Sequence, residues 1–272
     1  MREFILGSYD WEGSGVGDQS DWLRRQLCLL ADVRASAWVF QGCAGWRDSG
    51  GETFFLAEHI LGLRGFLAAS IPRGGDLAVF VRGSAGLRVT AHWQEMRYSF
   101  WHAPVRVVVA TPWPGILLQL VSVHLAPTSP AIRLAEAEAL AAIADDDPVI
   151  AGGSWNALSA TDPEPSLCES GSGYRRRVAD RTAANALEEA GFVDVGAYLR
   201  DIRPTVGHNG SLLYRCDRKM EPAPGPLTTR SSTSPPGSGA TQPSGPPTLS
   251  IVPSLIGESS KVISGGIRKP LT

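Results

Sequence analysis

The chain has 272 residues, of which 43% are hydrophobic, 8% aromatic and 19% charged, and its net charge is −2. That length supports one large domain or two small ones, and the near-neutral charge excludes a broad basic coat for nucleic acid or membrane surfaces. No apolar run reaches the roughly 18–20 residues of a membrane span, the N-terminus lacks a signal-peptide pattern, and four scattered cysteines (Cys28, Cys43, Cys168, Cys216) match neither zinc spacing nor a disulfide scaffold. A soluble, cytoplasmic, monomeric protein is expected.

In chain order, residues 3–9 read as a buried strand followed by a glycine-rich loop (Gly13, Gly15, Gly17). Residues 21–33 have helical periodicity, with Ser20 or Asp18 as cap. A strand over 36–40 and a helix over 52–61 follow. Strand-like runs then occupy 67–70, 77–81, 87–92, 105–111 and 117–124. Within the last two, 105–109 and 117–123 are mostly apolar, as strands covered on both faces tend to be. Ser129 and Pro130 supply a cap and a first-turn proline for a helix over 132–144. A short strand at 148–151 ends in Gly152-Gly153. A helix is expected over 176–190, then short strands at 192–195 and 212–215, with His208-Asn209-Gly210 as a turn. Helix–strand alternation at both ends around a run of strands predicts two packed sheets covered by helices.

The averages conceal a break at Arg218. Residues 1–218 hold every aromatic, His, Cys and Asp residue and no lysine; 20 Arg against 25 acidic residues give −5. Residues 219–272 hold all three lysines and half of the 20 prolines, with a charge of +3. A Pro/Ser/Gly/Thr-rich stretch buries too little apolar surface to offset its chain entropy. The globular domain is therefore expected to cover 1–218, with 219–272 as a disordered tail.

Five strand ends carry polar tips. The most informative is the segment 149–156, Val-Ile-Ala-Gly-Gly-Ser-Trp-Asn, a buried strand presenting Ser154 and Asn156 at the edge where α/β sheets place ligands. The others are Tyr9-Asp10-Trp11-Glu12, Phe40-Gln41-Gly42-Cys43, Val123-His124-Leu125 and Tyr214-Arg215-Cys216-Asp217. In this order they resemble the endonuclease/exonuclease/phosphatase superfamily of metal-dependent, DNase I-like phosphoesterases, over about residues 3–218. The best match is 152–156, against the family pattern Gly-Asp-x-Asn.

The resemblance implies a four-layer α/β/β/α sandwich lacking its last strands. It also implies a Mg²⁺ (or Mn²⁺) ion held by carboxylates, a carboxylate that activates water, and a His that stabilises the transition state. Carried over residue by residue, His124 matches the strand-borne His that bonds the phosphate, and Asn156 the family Asn. Asp217 matches the Asp that orients the catalytic His. Asp10 stands in place of an Asn and could face the metal. Gly42 replaces the principal metal-binding Glu, Ser154 replaces the water-activating Asp, and the closing Ser-Asp-His is missing, with no histidine after His208. One positioned acid or base is worth about 10²–10⁴-fold, so hydrolysis is expected to be impaired or lost. The alternative is an inactive binding module for a phosphate-bearing ligand or nucleic acid. The abrupt change of composition at Arg218 suggests a frameshifted or foreign ending.

Plainer readings apply elsewhere. Asn156 alone could be a turn residue, and the Arg175–Arg177 run a solvated helix start. Asp145–Asp147 makes a poor metal cage because consecutive side chains diverge. Trp93, Trp101 and Trp113 suit the core or rim, or a stacking platform for bases.

Overall fold

A computed structural model describes residues 4–11, 20–68, 75–93, 100–145, 148–159, 180–198, 206–208, 212–214 and 217–222. The expected Gly13–Gly17 loop, the Arg175–Arg177 run and all of 223–272 lie outside the described residues.

Strands β1 (Leu6–Asp10), β2 (Ala37–Gln41), β3 (Arg64–Ala68) and β4 (Leu77–Val81) form one sheet in the order β1-β2-β4-β3. Its β1–β2 pair is parallel and its other pairs antiparallel. Strands β5 (Arg88–Trp93), β6 (Val105–Ala110), β7 (Leu117–His124), β8 (Val149–Ser154), β9 (Phe192–Asp194) and β12 (Asp217–Pro222) form the second, in the order β5-β6-β7-β8-β12-β9. Strands β10 (Val206–His208) and β11 (Leu212–Tyr214) pair as an antiparallel hairpin around the expected turn.

Alternation along the strands sorts side chains into three apolar layers, because successive residues point to opposite faces. In β7, Leu118 and Leu120 lie between the sheets with Val105, Val107, Val79 and Ile150. Val121 and Val123 point the other way, onto Ala137 and Leu140 of helix α3 (Pro130–Ala141) and Leu187 of α4 (Thr182–Glu189). On the outer face of the first sheet, Trp38, Phe40 and Phe80 pack beneath Leu27 and Leu30 of α1 (Ser20–Asp32) and Ala57 and Leu61 of α2 (Glu52–Leu61). A short helix α5 (Val195–Tyr198) follows β9. The result is the α/β/β/α sandwich, and it explains why β2, β4 and β8 are buried at every position.

Element boundaries follow local chemistry. Helix α3 begins as expected, with Pro130 in the first turn and Ser129 Oγ accepting from Ile132 N at 3.4 Å. The helix expected over 176–190 is shorter at its start: Asp180 and Arg181 are not helical, and the first helical residue is Thr182. Both Asp180 carboxylate oxygens accept from the Thr182 hydroxyl, a local bond that competes with helix there. The strand expected at 148–151 runs on through both glycines to Ser154. Gly153 has φ 152°, and a Cβ there would lie 1.8 Å from the Val123 carbonyl oxygen, so only glycine lets β8 lie this close to β7.

Strand β12 crosses the composition break. Asp217–Met220 pair with β8 and Met220–Pro222 with β9, so Arg218 falls inside a strand. Ladder pairing uses backbone groups, which residues of either composition supply.

Candidate functional site

Strand direction gathers the predicted residues at one end of the sandwich. The parallel strands β1 and β2 both end there, at Asp10 and Gln41, which are register partners. Parallel β7 and β8 end alongside, with His124 opposite Ser154. Antiparallel β12 starts there, with Asp217 opposite Ser154 on the other side. His124, Ser154 and Asp217 thus form one row across three neighbouring strands. The two sheets are tied together at this end, where the Ser154 hydroxyl donates to the Asp10 carboxylate.

Beneath that contact lies a buried polar bridge that sequence reasoning missed. Gln41 is 1% exposed; its Nε2 donates to Ser122 Oγ at 3.0 Å, and its Oε1 accepts from Ser8 Oγ at 3.3 Å. Ser122 Oγ in turn donates to the Phe40 carbonyl at 2.9 Å. A satisfied polar network between apolar layers fixes the relative position of the sheets. Gly42, directly after it, adopts φ 65° and turns the chain away from the cleft.

Asn156 is buried, adopts φ 50°, a region that Asn tolerates better than most residues, and donates from Nδ2 to the Leu125 carbonyl at 2.8 Å. It fixes the segment that leaves the His124 strand. The His124 ring lies 4.6 Å from that of His102, at a 46° tilt. His124 Nδ1 is buried and finds no hydrogen-bond partner among the described residues. Such an atom is a costly vacancy that a water or an anionic ligand would satisfy.

Both histidine-bearing segments are pinned by one side chain. Glu136, fully buried on α3, accepts from Trp101 N at 2.5 Å and from Ala126 N at 2.8 Å. Arg133, also fully buried, donates to the Ala126 carbonyl at 2.9 Å and pairs with Asp180 at 3.5 Å. The sequence carries a signal for this. Arg133, Glu136, Ala137 and Leu140 fall on one helical stripe, so two charges sit where a core-facing helix should be apolar.

Cys43 lies beside the site, fully buried, with its N–H donating to the Asp76 carbonyl at 2.8 Å. Burial first, and then the charges of Asp10 and Asp76, push its thiol well above the usual range. The neutral thiol is not a nucleophile at neutral pH. Asp76 is held by Arg47, Nε to Oδ2 at 2.9 Å.

The donor set does not fit the divalent ion that the resemblance implies. Mg²⁺ takes oxygen ligands in octahedral geometry, usually including one or two carboxylates. At position 42 there is no side chain. Among the described residues, no group of three His, Cys, Asp or Glu side chains is placed to share an ion. The Asp10 carboxylate accepts a hydrogen bond from the Ser154 hydroxyl.

No family model matches the sequence, and no curated protein matches it. Solved structures do. TDP2 of D. rerio in complex with a single-strand DNA product superposes with a TM-score of 0.54 at 14% identity, covering 86% of each chain. The mannosyl-6-phosphatase of Bacteroides thetaiotaomicron gives 0.57 at 12% identity, over 81% of this chain and 85% of that one. An endonuclease/exonuclease/phosphatase family protein from the same bacterium gives 0.55 at 12% identity, over 80% and 82%. The chain has the endonuclease/exonuclease/phosphatase fold, the DNase I-like sandwich. Among the described residues, no helix is long and apolar enough to cross a membrane.

Proposed function

We propose that this chain is a degenerate phosphoesterase that binds a phosphate-bearing ligand at the strand-end cleft and has impaired or lost metal-dependent hydrolysis. The observation that carries the reading is the Ser154–Asp10 hydrogen bond. The residue in the place of the water-activating carboxylate is neutral, and it hydrogen-bonds the Asp10 carboxylate. Ser154 cannot take a proton from water at neutral pH, and Gly42 offers nothing to a metal.

What the cleft retains suits recognition. His124 presents a buried ring nitrogen without a described partner, next to a second imidazole, and Asn156 fixes the segment that carries it. The His124 ring as a whole is only partly buried, and an imidazole N–H at its open edge would donate to a phosphate oxygen. Asp217 stands at the end of the same row, and the resemblance would make it the group that orients a histidine. One structural neighbour complexed with a single-strand DNA product and another that is a mannosyl-6-phosphatase agree with a phosphate-bearing ligand, including nucleic acid, while substrate choice resides in loops rather than in the fold.

The test is hydrolysis of a generic phosphodiester in Mg²⁺ or Mn²⁺, alongside thermal melts in inorganic phosphate and in a short oligonucleotide. Ligand-dependent stabilisation that His124→Ala abolishes, without turnover, is the expected result. Robust turnover lost in His124→Ala would overturn the proposed loss of activity.

A further inference from the structure

A second cavity lies away from the His124–Ser154 row, where the edge strands β3 and β5 of the two sheets meet the start of α2. It encloses about 440 Å³, within the size range of small-ligand sites. Its apolar lining comes from Phe54, Phe55 and Phe66, and its polar lining from Arg47, Arg64 and His92. Gly65 shapes its floor: a Cβ there would lie 2.5 Å from the Phe54 ring, so glycine lets that ring lie against the strand. No carboxylate lines the cavity among the described residues.

Two of these groups have chemistry that the fold does not use. Phe55 is 59% exposed, an open aromatic surface at the mouth. The Arg64 guanidinium lies 5.2 Å over the Phe66 ring and makes no ion pair among the described residues. Behind Phe66, the His92 ring is 4.9 Å away. Stacking on Phe66 holds the guanidinium over the cavity while its N–H edges remain able to donate. Arg47 is bound on one edge by Asp76 and lines the same space. An aromatic face beside one cation without an ion pair among the described residues matches a planar ring joined to an anion.

We infer that this cavity binds one nucleotide unit, its base stacked on Phe55 and its phosphate on Arg64. The unit comes either from a free nucleotide or from an unpaired nucleotide of a strand. This site is independent of the strand-end cleft and of what that cleft does.

The test is calorimetric titration of the full chain with AMP, adenosine, inorganic phosphate and a short single-stranded oligonucleotide. AMP is expected to bind at least about tenfold more tightly than adenosine or phosphate, since both halves contribute. Phe55→Ala and Arg64→Gln, both at exposed positions, are each expected to weaken AMP binding about tenfold. Neither should alter the melting shift in inorganic phosphate that reports on the strand-end cleft, so the two readings fail separately. Oligonucleotide binding that depends on Phe55 identifies a strand as the source; binding of AMP alone identifies a free nucleotide. Unchanged AMP binding in both variants overturns the inference.

Discussion

Replacing Ser154 by Asp restores the family residue and asks whether the two sheets meet as described. The Ser154 hydroxyl donates to Asp10 and is 5% exposed, so a carboxylate at 154 would face another within about one hydrogen-bond length. Two such charges about 4 Å apart repel by about 4 kcal/mol at an effective dielectric near 20. Asp10 is only partly buried, and water at its exposed edge reduces that figure. The lost hydrogen bond to a charged group adds about 1.5 kcal/mol. A net destabilisation of about 3 kcal/mol at pH 7 follows, equivalent to a fall in Tm of about 6–12 °C for a domain of this size. Mg²⁺ or Mn²⁺ should raise the Tm of Ser154→Asp and leave the parent unchanged, because only the variant offers paired oxygens. Ser154→Ala, which loses the hydrogen bond alone, should fall by about half as much or less. Melts of the three proteins by circular dichroism, with and without metal, decide the matter. A Ser154→Asp variant as stable as its parent and indifferent to metal would show that positions 10 and 154 do not face each other.

Gly153→Ala places a methyl group 1.8 Å from the Val123 carbonyl oxygen at a φ reserved for glycine; a loss of about 3 kcal/mol or more in urea melts is expected, and a loss below about 1 kcal/mol would refute the close β7–β8 approach. Glu136→Ala orphans the buried Ala126 N–H and the partly buried Trp101 N–H, so about 2–4 kcal/mol should be lost, with shifted imidazole NMR signals of His102 and His124; unmoved signals would rule out the positioning role. Cys43, with its thiol raised above the ordinary value of 9.0 by burial and by Asp10 and Asp76, adds stability that is full below pH 9 and declines as pH rises from there towards the folded value. Iodoacetamide at pH 8 with peptide mapping should label exposed Cys28 and spare Cys43; equal labelling of the two would contradict the burial.

Much of the fold was legible because its strands are covered on both faces. Runs such as 77–81, 105–111 and 117–124 announce themselves by mostly apolar character, and β4 and β7 match their expected bounds residue for residue. The strand ends were legible too, since a polar residue closing an apolar run marks where the chain leaves the core. What escaped was polar and buried. Gln41 reads as a strand-end residue, and nothing local shows that its amide reaches 81 positions along the chain to Ser122. His102 follows an irregular stretch, and its position beside His124 depends on Glu136, a residue that helix propensity alone places on the surface. The start of α4 was misread because helical periodicity does not register the Asp180–Thr182 bonds that interrupt it. The edge cavity involves residues from four separate segments, and no spacing along the sequence encodes it.

The place of β12 in its sheet bears on how the protein is made. The last strand described in the chain is an interior one, set between β8 and β9. While the ribosome is still making residues before 217, β8 has a free ladder edge and β9 has no partner in the sheet. That edge is open to wrong pairing within the nascent chain or with a neighbour. The row that ends in Asp217 is therefore completed late in synthesis, and nascent chains halted before residue 222 should be the species that chaperones hold or that aggregate.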